Sequence, residues 1–462
     1  MQLQSSYPRP PPHTRTPMQV RTPLPVYPPP EPLSLPLPSL PSPPRNPAFN
    51  APFTLSTHIF PASYLRTSRY VDIPAAPPES ASKAERHAFL LKTRAELREM
   101  RGSTWTDGYP RVLWNCVNRY VRNDLNLKAG SSTGLTLFFA HANGFPKEMW
   151  ESVLAVLLSS PAGQIIDEVW AWESVQHGDA ALINAGNLSA VFDWQDNARD
   201  IINFMLNFLP AAPSTTPLPT HLARLPHAEA ELRKLNGFAH RTFIAVGHSY
   251  GGCTSTLAAQ MFPKLFSALV LVDPVIVKPP STEQEYAEGT QARTDNLILG
   301  ALMRRDTWSS REEALSTFLK NPFFRAWDPT SLELYVTCGT YLTGTQSNGT
   351  QQAKLKMSGM QEAIVFSETH TEFEVYDRLP ALDERIKLRW VVPGREDAPE
   401  FGPKGSTRRR VWVRPGNSTN LRIEGAGHLI PQEKPKLLAN DLRDFILQHY
   451  SPVKPLTMGA ML

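Results

Sequence analysis

Residues 243–252 read FIAVGHSYGG, an apolar run that ends abruptly in a serine set among glycines. A run of this kind without polar alternation is strand material that needs cover on both faces. The segment that follows, "CTSTLAAQMF", is a helix built largely of small residues. Between the two, Gly247 and Gly251 stand two positions either side of Ser249. Glycines there let neighbouring backbones approach a turn too sharp for ordinary residues, and such a turn lifts a hydroxyl clear of the strand end. A strand, elbow and helix of this type belong at the centre of a parallel sheet with helices on both faces.

The rest of the chain supplies the material for such a sheet. "FTLSTHIF" and "RVLWNCVNRYV" alternate as half-buried strands do, "LTLFFAHA" and "SALVLVDPVIV" are continuous apolar runs, and "IIDEVWAWES", "IKLRWVVPG" and "STNLRIEGAGH" complete the set. Helical patterns stand between them: a charged one within 77–104, "NGFPKEMWESVLAVLLSS", "DWQDNARDIINFMLNFL" opened by Asp193, and "PKLLANDLRDFILQH" at the end. From 279 to 385 the alternation stops, and helical stretches ("QARTDNLILGALMRR", "REEALSTFLKN", "LELYVTCGTYL") point to an inserted cap. The expected organisation is a proline-rich tail over 1–50, a core over 51–278 and 386–450 interrupted by a helical cap over 279–385, and a flexible tail over 451–462. The first tail is expected to be disordered, because residues 1–50 hold 17 of the 45 prolines and one acid, Glu31.

Composition removes several function classes. The net charge of +4 is spread thinly, with one tight basic run at Arg408, Arg409 and Arg410, so no nucleic-acid face is expected. Three cysteines without ligand spacing argue against a disulfide framework and against a metal site. No stretch has the roughly 18 apolar residues of a membrane span. An intracellular setting follows, cytoplasmic or peroxisomal; Ala460, Met461 and Leu462 are a poor peroxisomal tripeptide because Met461 lacks the basic charge.

A serine hydroxyl becomes a nucleophile when a base takes its proton, an acid orients the base and backbone donors await the oxyanion. His428, in "IEGAGHLIPQEKP" after the last strand, is the candidate base. For the acid, "WVVPGREDAPEF" offers Asp397 after the preceding strand; it is preferred over its neighbour Glu396 and over Asp273, which ends "LVLVDP". For the oxyanion hole the candidate donors are the backbone N–H of Tyr250 and that of Asn143 in "AHANGFP". His141 in that loop and the "QHGD" pair His177 and Asp179 are expected to be structural. This chemistry needs neither cofactor nor metal.

At "FFAHANGFPKEMWESV", "VGHSYGG", "LFSALVLVDPVI" and "GAGHLIPQEKP" the chain resembles the α/β-hydrolase superfamily, and within it a fungal group of peroxisomal lipase-like and toxin-biosynthesis hydrolases. The resemblance implies an α/β-hydrolase fold, a mostly parallel sheet with helices on both faces and an inserted helical cap. It also implies a serine hydrolase, a carboxylesterase or lipase-like enzyme on a small hydrophobic ester, with Ser249, His428 and Asp397 as its triad. Acyl transfer by the same residues, or a non-catalytic binding role for the fold, are the alternatives. The chain departs from the group in its proline tail, its helix within 77–104, and Tyr250 where a methionine is expected.

Overall fold

A computed structural model describes residues 3–11, 17–33, 36–78, 80–101, 111–125, 134–345 and 351–451. Eleven strands lie among these residues: β1 Phe53–Pro61, β2 Trp114–Arg122, β3 Gly134–Ala140, β4 Ile166–Glu173, β5 Arg241–His248, β6 Ala268–Val272, β7 Thr307–Trp308, β8 Thr340–Thr345, β9 Gln351–Leu355, β10 Lys387–Pro393 and β11 Ser418–Ile423. Eight form one sheet in the order β1-β2-β4-β3-β5-β6-β10-β11. β1 and β2 pair antiparallel at one edge, and from β4 to β11 the pairing is parallel. The central strands are buried along almost all of their length, which is why they lack polar alternation.

One face of the sheet packs on the helices Glu151–Leu158 and Pro435–Tyr450, the other on Trp194–Asn203 and Tyr250–Met261. Asp193 caps the third of these through its side chain, which accepts from the Gln195 N–H. Register then decides where chemistry can gather. Ala140 of β3 lies beside Gly247 of β5, and His248 of β5 beside Val272 of β6. The loops leaving these three strands therefore begin side by side at one edge.

The segment between β6 and β10 is a cap, though not an all-helical one. Helices Ala292–Met303, Arg311–Lys320 and Pro329–Gly339 fall where the pattern placed them. The last stops at Gly339, and the "TYLTGT" that follows is β8 of a three-stranded antiparallel sheet, β7-β9-β8. The helix Lys83–Arg101 packs on this cap, its Arg98 paired with Asp295.

The described residues of the proline-rich segment have partners on the body. They lie along it as extended chain. Arg21 reaches Asp193 at 2.5 Å and Glu374 at 2.7 Å, Arg45 pairs with Glu151, and the carbonyls of Pro25 and Pro38 accept from Arg199 and His221. Proline cannot donate a backbone hydrogen bond but its carbonyl still accepts one, so the strap is held by arginines and carbonyls rather than by a ladder. Ala460, Met461 and Leu462 lie outside the described residues.

Candidate active site

Ser249 leaves β5 with φ 54° and ψ −118°, a conformation a residue with a side chain rarely adopts. Its own N–H donates to Val272 O at 3.0 Å, and its carbonyl accepts from Val275 N at 3.1 Å, so β6 and the loop that follows it hold the turn from both sides. Glycine is required beside it. A Cβ on Gly247 would meet Gly252 Cα at 2.6 Å, and one on Gly251 would press on the carbonyls of Ala140 (2.6 Å) and His141. That second contact brings the helix start against the loop after β3.

His428 stands on the loop after β11, its Nε2 3.0 Å from Ser249 Oγ and its Nδ1 2.7 Å from Asp273 Oδ2. Asp273 follows β6 directly, itself at φ 36°, and its N–H donates to Val391 O. An ionised carboxylate only accepts, so Nδ1–H donates to Asp273 and Nε2 is left to accept the serine proton. Burial pushes the Asp273 carboxyl up, but the hydrogen bond from His428 and the charge of Arg410 outweigh it and hold the group below its ordinary value. Arg410 donates to the other carboxylate oxygen, Oδ1, at 2.7 Å.

Asp397 stands on the loop after β10, but it is Asp273 that His428 meets. The Asp397 side chain is 77% exposed and pairs with Arg395 at 2.6 Å, while Asp273 is buried. Both acids follow strands at the same sheet edge, but a carboxylate on a solvated loop has water and a neighbouring cation to satisfy it. Glu396 is exposed as well.

Tyr250 and Asn143 sit on the two segments that meet at the elbow. Tyr250 opens the helix Tyr250–Met261, where a first-turn N–H has no acceptor within the helix. Its ring is buried. It packs among Trp194, His177 and Phe192, and its hydroxyl lies 3.2 Å from Ser174 Oγ. The Asn143 side chain is spent on structure: Oδ1 accepts from His177 Nε2 at 3.0 Å and Nδ2 donates to Glu362 O at 3.1 Å. Gly144, at φ 87°, completes this loop with the Glu362 carboxylate where a side chain would otherwise stand.

His141, His177 and Asp179 are held as structural groups. His141 Nδ1–H donates to Ala142 O and its Nε2 accepts from Ser174 N, and burial lowers its pKa to about 4. Asp179 belongs to a buried network that no single motif announces. Lys147 Nζ, fully buried, lies 3.1 Å from Glu173 and 2.9 Å from Asp179, and Lys356 and Ser42 complete it from the cap and the strap. Cys116, Glu173 and Asp179 bring ligand-type atoms together here, but the Lys147 ammonium already stands among the carboxylates. Lys147 is the lysine of "NGFPKE", so the network ties the Asn143 loop to the sheet.

One contact of His428 and one of its neighbour Gly427 escape a sequence reading. His248 Nε2–H donates to the His428 carbonyl at 2.9 Å, and Glu433 accepts from Gly427 N at 2.6 Å. The "HS" and "QE" of the quoted motifs were the available signals, but neither says which backbone atom it will meet.

Comparison with known proteins bears on the fold that carries this geometry. A model of the Alpha/beta hydrolase family matches residues 137–441. The type I acyl-CoA thioesterase mpaH of Penicillium brevicompactum is 28% identical over 200 residues, 43% of this chain and 38% of that protein. The peroxisomal membrane protein LPX1 of Saccharomyces cerevisiae is 28% identical over 160 residues, 34% of this chain and 35% of the other. The matched region thus spans less than two fifths of either relative. The solved structure of the peroxisomal alpha-beta-hydrolase Lpx1 from the same yeast superposes with a TM-score of 0.57 at 19% identity, over 87% of this chain and 91% of that one, a likeness of fold. The family match begins in β3, takes in Asn143, Ser249, Asp273 and His428, and ends in the last helix, and the chain belongs to the alpha/beta hydrolase family.

Proposed function

We propose that this chain is a serine hydrolase that cleaves acyl esters or thioesters through an acyl-enzyme on Ser249. The observation that carries the reading is the unbroken path from Ser249 Oγ through His428 to the buried Asp273, 3.0 Å and 2.7 Å in its two steps. His428 Nε2 takes the serine proton as Oγ attacks the carbonyl, then returns it to the leaving alcohol or thiol. Asp273, in the place first assigned to Asp397, keeps Nε2 free to accept and stabilises the imidazolium. The oxyanion is held by the backbone N–H groups of Tyr250 and Asn143, worth roughly 3–4 kcal/mol each in comparable sites. Water then repeats the sequence on the acyl-enzyme.

The acyl group is apolar in this reading. Phe145, two residues after Asn143, packs on Trp327 at 5.6 Å and Tyr335 at 5.8 Å, so aromatic rings of the cap lie against the loop that carries Asn143. Thioesters enter because mpaH is named as an acyl-CoA thioesterase, and both bonds are cleaved through the same intermediate. The test is hydrolysis of p-nitrophenyl esters and acyl-CoA thioesters of graded chain length. Ser249→Ala should lower kcat by a factor on the order of 10⁵–10⁶. Turnover by Ser249→Ala within tenfold of the unmodified protein would overturn the reading.

A further inference from the structure

We propose that Arg410 is a positioning residue of this site, gripping the Asp273 carboxylate in the orientation that serves His428 and bracing the imidazole through Phe401. The inference rests on the reading of Ser249, His428 and Asp273 as a catalytic set, and adds a residue that acts through them.

The loop after β10, where sequence reasoning looked for the acid, instead sends a cation back to the acid on the neighbouring strand. The Glu400 carboxylate accepts from the backbone N–H groups of Gly405 and Thr407, at 2.7 and 2.6 Å. That closes the turn from which the helix Ser406–Arg410 starts and delivers Arg410 at its end. Arg410 Nη2 donates to Asp273 Oδ1 at 2.7 Å, and Nη1 donates to Pro274 O at 2.8 Å. Two donors of one rigid fork thus hold the carboxylate and the peptide that follows it. Rotation of the carboxylate would break the first bond, so Oδ2 stays turned to His428.

The grip is enclosed. Both side chains are 3% exposed. The guanidinium lies 5.3 Å from the Phe401 ring and 5.9 Å from that of Trp390 on β10. Phe401 in turn stands edge-on to His428 with ring centres 5.2 Å apart. Arg410 therefore reaches the base by two routes, through the acid and through the ring.

Charge and orientation make different predictions. A carboxylate shared with a cation holds an imidazolium less strongly than one that is not, so removing the cation moves the acid limb of activity to higher pH. Loss of the grip lowers the rate at every pH. The other groups facing the pair leave this logic intact. His248, 5.2 Å from His428, is kept neutral by burial, with its pKa lowered to about 3. Arg293 over Phe401 is paired with Glu372, Arg395 with Asp397, and Glu433 is engaged by Gly427 N.

The experiment uses the full chain with Arg410→Gln and Arg410→Lys, following the pH dependence of Ser249 labelling by a fluorophosphonate and the downfield His428 Nδ1–H resonance by NMR. Arg410→Gln should label 10- to 100-fold more slowly and raise the acid limb and the NMR midpoint by about one pH unit, a tenfold change in proton affinity. Arg410→Lys should leave both midpoints in place and recover part of the rate, since one ammonium restores the charge but not the fork. Arg410→Gln with unmoved midpoints and an unmoved rate would overturn the proposal. So would equal rate losses in both variants with midpoints unmoved, because that pattern belongs to general loosening. If Arg410→Gln does not fold, Arg410→Met takes its place as the variant without the cation, and the same outcomes support or overturn the proposal. Failure of the unmodified protein to label would count against the hydrolase reading alone, and the NMR midpoint would still judge Arg410.

Discussion

At the scale of single residues, burial decides which carboxylate meets His428. Asp273 leaves a central strand into a water-poor position where its charge must be matched, and His428 and Arg410 supply the match from two sides. Asp397 has solvent and Arg395. Replacing Asp273 by Asn should lower kcat by a factor on the order of 10⁴, because an amide no longer selects the tautomer that accepts from serine. Asp397→Asn should leave kcat within about twofold, the usual outcome for an exposed ion pair. Steady-state kinetics on both variants checks this, and the reverse ranking would restore the acid first favoured. Sequence narrowed the acid to three residues but not to one, since GxxD spacing after a strand says nothing of depth. Arg410 was legible only as part of a basic run: its contact with Asp273 spans 137 positions of chain.

At the scale of elements, the strands of the large sheet and most helices follow from apolar periodicity, because each must bury a face or both. The register of β3, β5 and β6 then carries Asn143, Ser249 and Asp273 to one edge. The elbow itself was visible through Gly247 and Gly251, whose missing side chains make room for backbone. What periodicity did not separate was the end of one element from the start of the next. "LELYVTCGTYL" reads as a single helix until Gly339, after which the β-branched threonines of β8 take an extended course against β9. A small sheet of this kind is held by cross-strand partners that lie outside any local window.

For the whole molecule, the strap formed by residues 17–33 and 36–50 is the part least legible from sequence, since proline-rich chain has no periodicity and these residues are held by partners on the body. Arg21 stands among Asp193, Glu368 and Glu374. Burial first, then the neighbouring Asp193, raises the Glu368 pKa to about 8 in spite of Arg21. A carboxyl raised on folding binds a proton that the unfolded chain releases at its ordinary value near 4.5. Its contribution to stability therefore falls as pH rises from there to about 8. Removing Arg21 should deepen that loss. Arg21→Ala is expected to cost about 1–2 kcal/mol at pH 8, discounted because the guanidinium is 35% exposed, and distinctly less at pH 5. Thermal unfolding at the two pH values reads the difference. An equal deficit at both would contradict the role given to Glu368.

All of this turns on whether the buried relay makes Ser249 a nucleophile, and covalent labelling with a fluorophosphonate tests that most directly. Intact mass and peptide mapping of the full chain should find a single adduct on Ser249, absent in Ser249→Ala and strongly slowed in His428→Ala. A folded protein that takes no adduct, or takes it equally well without His428, would contradict the account.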